Sequence, residues 1–227
     1  MVTVASQSGQ PRDDQQPSAS DRYIAAVSAS DRVARARLIE TPSEAVSVYR
    51  DWAADYDDDV FGSLGFTGGE RIADLLAEHV IDRRTSVIDL GCGTGAVGVR
   101  LRVHGFEEVD GVDISPEMLA QAAAKHAYRS LLVADLLDRI PLADRSYGAA
   151  ISAGTFTSGH VGPAAVPEIV RVLRPGAVVA WVVALSMWPQ FEPAAIAAGL
   201  DVVHRAAEPI RRSGAPEATM LVARLRR

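Results

Sequence analysis

The chain has 227 residues, a formal net charge of −6 and 48% hydrophobic content, enough for one well-buried core. The acidic balance argues against a dominant nucleic-acid surface, which needs clustered Lys and Arg, but leaves room for a few basic groups at an anionic substrate. The one cysteine, Cys92, excludes an internal disulfide and supplies no metal-ligand set; it reads as a small packing residue rather than a catalytic thiol.

Residues 1–20, rich in Ser, Gln, Asp and Pro, read as a disordered tail. No early basic region followed by an apolar core is present, so no secretory signal is expected. The longest apolar run, Ala177–Met187, is too short for a bilayer span of about 20 residues. The expectation is a cytoplasmic protein that neither crosses a membrane nor binds nucleic acid.

Asp21–Glu40 has helical character. Thr41-Pro42-Ser43-Glu44 is a helix start, with Thr as cap, Pro in the first turn and Glu closing a capping box. Val48, Tyr49, Trp52 and Tyr56 then share one helix face, and Asp57-Asp58-Asp59 is expected to end the helix. Thr67-Gly68-Gly69-Glu70 reads as a second capping box, followed by a core stripe of Ile72, Leu75, Leu76, His79 and Val80. From Ser86 the pattern alternates. Expected strands are Ser86–Leu90, Glu108–Asp113, Leu131–Ala134, Tyr147–Ser152 and Ala177–Ala184, with helices near 95–104, 115–125 and 163–173. This indicates a parallel sheet covered on both faces. Asp201–Ala207 and Thr219–Leu225 are expected to pair as an antiparallel hairpin at its edge. The fold class is therefore single-domain α/β, Rossmann-like and doubly wound, with about seven mostly parallel strands. Residues 83–227 form the core and 21–82 an N-terminal helical segment.

In such a sheet, ligands bind beyond the carboxyl ends of the strands. The first strand runs into Asp89-x-Gly91-x-Gly93-x-Gly95, a turn whose glycines let a ligand approach bare backbone. The acid repels a phosphate and suits an amine or ribose hydroxyls. Yet Gly93-Thr94-Gly95-Ala96-Val97-Gly98 also fits the dinucleotide pattern, so the glycines alone do not separate the two cofactors. Asp113, 22 residues after Gly91 at the second strand's end, is placed to accept from a ribose diol. Asp135 ends the third strand, where its carboxylate meets an adenine amine and Ile114 and Leu136 flank the purine. Ser152, Ala153 and Gly154 end the fourth with small side chains.

Asp89, Asp113 and Asp135 on three successive strand ends, with Leu173-Arg174-Pro175-Gly176 before the fifth strand, resemble the class I S-adenosylmethionine-dependent methyltransferases. The resemblance spans about residues 45–225. It implies S-adenosylmethionine as cofactor, held by Asp89, Gly91, Gly93, Gly95, Asp113, Ile114, Asp135, Leu136, Ser152 and Ala153. A narrower resemblance, to the methyltransferase-like family named for the Williams–Beuren chromosomal region, lies in Tyr49–Val60, Gly65-Phe66 and Gly154–Val161. The chain departs from that family at Thr67-Gly68-Gly69, where a proline is usual, and in a short segment before its last strands. In related families a Tyr-Asp pair of the N-terminal helix lies over the cofactor, which here makes residues 21–82 a lid and adds Tyr56 and Tyr49 to the cofactor contacts. Aromatic faces stabilise a sulfonium by about 0.5–2 kcal/mol, although the same four residues at helical spacing also read as core.

The expected activity is transfer of a methyl group to a small molecule. His160, in the loop after the fourth strand, is the candidate general base, worth about 10²–10⁴-fold where the acceptor must lose a proton. The alternatives are an NAD(P)-dependent oxidoreductase and a non-catalytic S-adenosylmethionine-binding protein. The acceptor, the methylated atom and the oligomeric state are not written in these motifs.

Overall fold

A computed structural model describes residues 27–227; the tail expected over 1–20 lies outside them. The helical character before Glu40 resolves into α1 (Ala29–Ala36), capped by Ser28, whose hydroxyl accepts from the Asp31 amide at 3.2 Å. Helix α2 (Pro42–Trp52) starts on the expected capping box, with Thr41 Oγ1 accepting from the Glu44 amide and Glu44 accepting from the Thr41 amide.

Asp57-Asp58-Asp59 does not end that helix. The chain leaves α2 at Ala53 and re-enters a π-helical turn over Asp58–Ser63. Asp59 is held there, accepting from Trp52 Nε1 and Arg32 Nη1, both at 2.8 Å. A π-turn is uncommon and concentrates at functional sites.

Helix α3 (Gly68–His79) also starts differently from expectation, since Thr67 makes no side-chain cap. The amides of Thr67 and Gly68 donate instead to the Ile210 carbonyl, at 2.8 and 3.2 Å. Its stripe of Ile72, Leu75, Leu76 and Val80 is buried, while His79 is half-buried with Nδ1 2.8 Å from the Leu75 carbonyl.

The core then alternates: β1 (Val87–Leu90), α4 (Ala96–Val103), β2 (Val109–Asp113), α5 (Pro116–Ala124), β3 (Ser130–Val133) and β4 (Tyr147–Phe156). A short 3₁₀ turn (Pro163–Ala165), α6 (Val166–Arg171), β5 (Leu173–Ala184), α7 (Trp188–Ala197), β6 (Leu200–Glu208) and β7 (Ala218–Leu225) follow. The sheet order is β3-β2-β1-β4-β5-β7-β6. Pairing is parallel from β3 through β5, and β7 runs antiparallel to both β5 and β6. Strand order reverses between β1 and β4, so the ligand crevice belongs above those two strands.

Three differences from the sequence reading matter. Strand β4 continues to Phe156, with a register shift against β5 between Ser152 and Phe156; Ala153 and Gly154 thus sit in a bulge, which re-aims the strand beside the crevice. Strand β5 begins at Leu173, so Leu173–Gly176 is its opening rather than a preceding turn. Helix α7 had no sequence signal, because Pro189 at its start and Pro193 inside it break the helical pattern. One apolar layer, around Phe156, Trp181 and Phe191, packs on one side of the sheet, and a second, around Ile72, Leu76, Leu101 and Phe106, on the other. A small third cluster, with Val48, Trp52 and Val60 at its centre, belongs to the N-terminal helices. Among the described residues no helix is long and apolar enough to cross a membrane.

Candidate active site

The glycine turn is held from below. Gly91 takes φ +68°, and a Cβ there would lie 2.1 Å from Thr155 Oγ1, so neither the conformation nor the space admits a side chain. At Gly98 a Cβ would lie 2.3 Å from the Tyr128 ring. Tyr128 slides into this gap, accepts from the Gly98 amide at 3.1 Å and donates its hydroxyl to Asp89 Oδ2 at 2.7 Å. Nothing in the sequence marked Tyr128. The third glycine of the apparent dinucleotide pattern makes room for this ring.

Asp89 is therefore placed differently from the expectation of direct ligand contact. It is fully buried beneath the turn and lines neither cavity described below. Burial, the largest influence, pushes its carboxyl up to about 7 against the Tyr128 hydrogen bond. Its Oδ1 is buried with no partner among the described residues. Ser152 is likewise fully buried and donates to the Leu90 carbonyl at 2.7 Å, bracing the end of β1 from β4. Gly95 caps α4 and packs against Tyr128 and Ala122. These three support the site from behind.

The other expected cofactor contacts converge. A cavity of about 160 Å³ is lined by Gly91, Gly93, Asp113, Ile114, Asp135, Leu136 and Ala153, and on its far side by Tyr49, Tyr56 and His160. Asp113 Oδ2 accepts from the Gly93 amide at 2.8 Å and Oδ1 from the Ser115 amide at 2.9 Å. Burial raises its pKa, opposed by these amides. Ser115 independently caps α5 through the Met118 amide, so Asp113 is not that helix's cap. A carboxylate already occupies the Gly93 amide, the donor a pyrophosphate would need. Asp135 is half-buried and ties down its own turn by accepting from the Leu137 amide at 2.8 Å. A Cβ at Gly93 would meet nothing within 4 Å, which places open space directly over the turn.

The N-terminal helices close the cavity. Tyr49 lies 6.2 Å from Trp52 and Tyr56 4.7 Å from Trp52, ring to ring. Tyr49 Oη contacts His160 Nε2 across the site. His160 Nδ1 lies 3.1 Å from the Ser158 carbonyl. A carbonyl only accepts, so Nδ1 carries the proton and Nε2 is left to accept from the Tyr49 hydroxyl. Burial depresses the His160 pKa, helped by nearby Arg37 and opposed by Ser158; burial raises the phenols of Tyr49 and Tyr56. Asp57 then ties this cover to the core, accepting from Thr94 Oγ1 at 2.5 Å and pairing with Lys125 Nζ at 2.5 Å. Read from the sequence, Thr94 and Lys125 have no site role and Asp57 only a place in the Tyr-Asp pair; their meeting joins three separate segments.

Residues 87–176 match the model of a methyltransferase domain family. Through this core the chain resembles the class I S-adenosylmethionine-dependent methyltransferases. It is 34% identical over 151 residues to Methyltransferase-like protein 27 of Homo sapiens, covering 65% of this chain and 61% of that protein. It is 36% identical over 123 residues to a malonyl-[acyl-carrier protein] O-methyltransferase of Pectobacterium atrosepticum, covering 54% and 47%. The chain thus spans less than two thirds of the length of either relative. Among solved structures, 1,6-didemethyltoxoflavin-N1-methyltransferase of Burkholderia thailandensis aligns with a TM-score of 0.60 at 19% identity, covering 83% of this chain and 92% of that one; at that identity the likeness speaks for the fold. S-adenosylmethionine is the cofactor of the class I methyltransferases.

Proposed function

We propose that this chain transfers a methyl group from S-adenosylmethionine to a small-molecule acceptor, free or carrier-bound, in the cytoplasm. One observation carries the reading: Asp113, Asp135 and the bare turn at Gly91 and Gly93 line a single cavity. The fit is chemical. Asp113 keeps lone pairs free beyond its two amide donors and can accept from a ribose diol with charge-assisted bonds. Ile114 and Leu136 offer apolar faces to a purine, and Asp135 an acceptor for its amine. Gly91, Gly93 and Ala153 leave room for the amino-acid portion. Asp89 acts from underneath, holding the turn through Tyr128. When bound, the sulfonium supplies an electrophilic methyl group and a good leaving group.

Of the segment 21–82 expected as a lid, the described part up to the π-turn, residues 27–63, serves as the cover in this reading, while α3 packs with the sheet. Tyr49 and Tyr56 cover the sulfonium, and Asp57 latches the cover to Thr94 of the turn. Alignment and exclusion of water are the main demands on the protein, and positioning of this kind is worth about 7–11 kcal/mol. His160, with Nε2 accepting from the Tyr49 hydroxyl, is the base. The names of the malonyl-[acyl-carrier protein] relatives support a modest acceptor rather than a nucleic acid.

Calorimetric titration with S-adenosylhomocysteine tests the proposal. Asp113→Ala is expected to weaken binding by about 100-fold, the loss of two hydrogen bonds to a charged group at about 1.5 kcal/mol each. His160→Ala should stay within about threefold of the wild type. The melting temperature should rise with S-adenosylhomocysteine and not with NAD. Equal affinity in wild type and Asp113→Ala, or stabilisation by NAD alone, sinks the reading; the latter would restore the oxidoreductase alternative.

A further inference from the structure

A second cavity, of about 200 Å³, adjoins the first. The two share Tyr49, Tyr56, His160, Gly91 and Gly93 as a common wall. Beyond that wall the lining turns apolar, with Val33, Phe61, Leu64, Phe66, Val182 and Ile210. Two charged side chains among its lining residues, Arg211 and Glu217, hydrogen-bond each other. A third, Arg37, is exposed to solvent.

This lining discriminates by charge. A carboxylate ligand would have to break the Arg211–Glu217 pair or reach the solvated Arg37, and burying an unpaired charge is costly. An ammonium ligand meets no free carboxylate there. A carboxylate acceptor, moreover, has no proton to lose and no use for a base. A hydroxyl acceptor does, and the common wall offers Tyr49 Oη with His160 Nε2 behind it.

We infer that this second cavity receives the methyl acceptor, and that the acceptor is a neutral molecule with an apolar body and one hydroxyl, presented to Tyr49 and His160. The inference rests on the first cavity being the cofactor site. In the transfer, the acceptor oxygen forms the new bond to the methyl carbon, and the old bonding pair stays on sulfur. The acceptor's proton passes to Tyr49 Oη as the Tyr49 proton moves to His160 Nε2. The imidazolium so formed, with Nδ1–H held by Ser158, returns its extra proton to water. The products are a methyl ether, the thioether of the spent cofactor and one proton.

The test uses 2-naphthol and its carboxylate counterpart 2-naphthoate on the full chain saturated with S-adenosylhomocysteine. By calorimetry 2-naphthol should bind at least about tenfold more tightly than 2-naphthoate. Leu64→Trp, which fills the second cavity, should weaken naphthol binding by at least about tenfold with the cofactor-product affinity kept. Ile210→Trp serves the same purpose if Leu64→Trp fails to fold. With S-adenosylmethionine, 2-methoxynaphthalene should form, and Tyr49→Phe and His160→Gln should each lower kcat by about 10²-fold or more with the KM for naphthol little changed. Tighter binding of naphthoate, naphthol binding indifferent to both filling variants, or bound naphthol that is never methylated would each overturn the inference. Failure of the wild type to bind S-adenosylhomocysteine would instead defeat the cofactor reading beneath it.

Discussion

The two cavities share a wall but are built in different ways. The floor of the first collects residues from the carboxyl ends of β1, β2, β3 and β4, each contributing a short local motif, and Tyr49 and Tyr56 of the N-terminal segment cover it. The second takes Val33 from α1, Phe61 from the π-turn, Val182 from β5 and Ile210 from the link before β7. No two of these are close in sequence. The foundations differ as well. Beneath the first lies a buried polar network, Asp89–Tyr128–Gly98 and Asp113–Gly93, where a lost partner leaves a desolvated group behind. The second leans on the N-terminal helices, whose own buried cluster is small and whose polar ties to the core include a partly exposed ion pair, Lys125–Asp57. Segments of that kind open at lower free energy than a sheet core does. A rigid first cavity and a looser second one follow, which the proposal assigns to cofactor and acceptor.

The strongest way to break this contrast is to overfill the rigid side. Gly98→Ala drives a methyl group into the Tyr128 ring. Overpacking costs about 1–3 kcal/mol, which in a chain of this size lowers Tm by about 2–4 °C for each kcal/mol. Adding Tyr128→Leu, which vacates the space, should make the double variant less destabilised than the sum of the two single changes, since residues in contact couple. Chemical denaturation of the four proteins measures the cycle. Strict additivity would mean that Tyr128 does not fill the space beneath the turn.

The same contrast explains what could be read in advance. Strand and helix alternation was legible because many elements carry their own pattern: an apolar run for β5, Ser115-Pro116 for the start of α5, the capping box for α2. Asp113, Asp135 and the glycine turn were legible because strand ends in a parallel sheet share one rim. Asp89 looked like a ligand contact from spacing alone; its depth depends on Tyr128 arriving from the far side of α5, which no local pattern encodes. The π-turn escaped for a related reason. Its acids are held by Trp52, Arg32, Thr94 and Lys125, and without those partners Asp57-Asp58-Asp59 is an ordinary helix stop. The hydrogen bond between Tyr49 and His160 spans 111 positions and belongs to tertiary packing.

A pH series sharpens the account of the rigid side. Asp89 holds its proton to about pH 7 in the folded chain, against an ordinary value of 3.8. A folded-state pKa raised in this way contributes stability below about pH 4 that is lost as pH rises towards 7. Asp113 is raised too and adds to the same slope. Asp89→Asn keeps an acceptor for the Tyr128 hydroxyl and removes the titration. Wild-type stability should fall across pH 4–7 by about 1–4 kcal/mol more than that of Asp89→Asn, with parallel behaviour above. Thermal melts at fixed ionic strength decide it. Curves parallel throughout would show that Asp89 is ionised in the folded chain across that range.

The smallest expected effect lies on the looser side. Lys125 and Asp57 are 26% and 43% exposed at their side chains, so their ion pair belongs with surface pairs worth about 0.2–1 kcal/mol. Removing it with Lys125→Ala should hardly move Tm. The Asp57 carboxylate still holds Thr94 Oγ1, so the lid loses one of the two ties that Asp57 makes to the core. If that tie restrains opening, S-adenosylhomocysteine should leave about two- to fivefold faster, the rate equivalent of about 0.4–1 kcal/mol. The difference from the wild type should shrink in high salt, which screens an exposed pair. Stopped-flow displacement at two ionic strengths reads both. A variant with a lowered Tm and an unchanged off-rate would assign the pair to folding rather than closure, and would make the N-terminal helices as firmly seated as the sheet they cover.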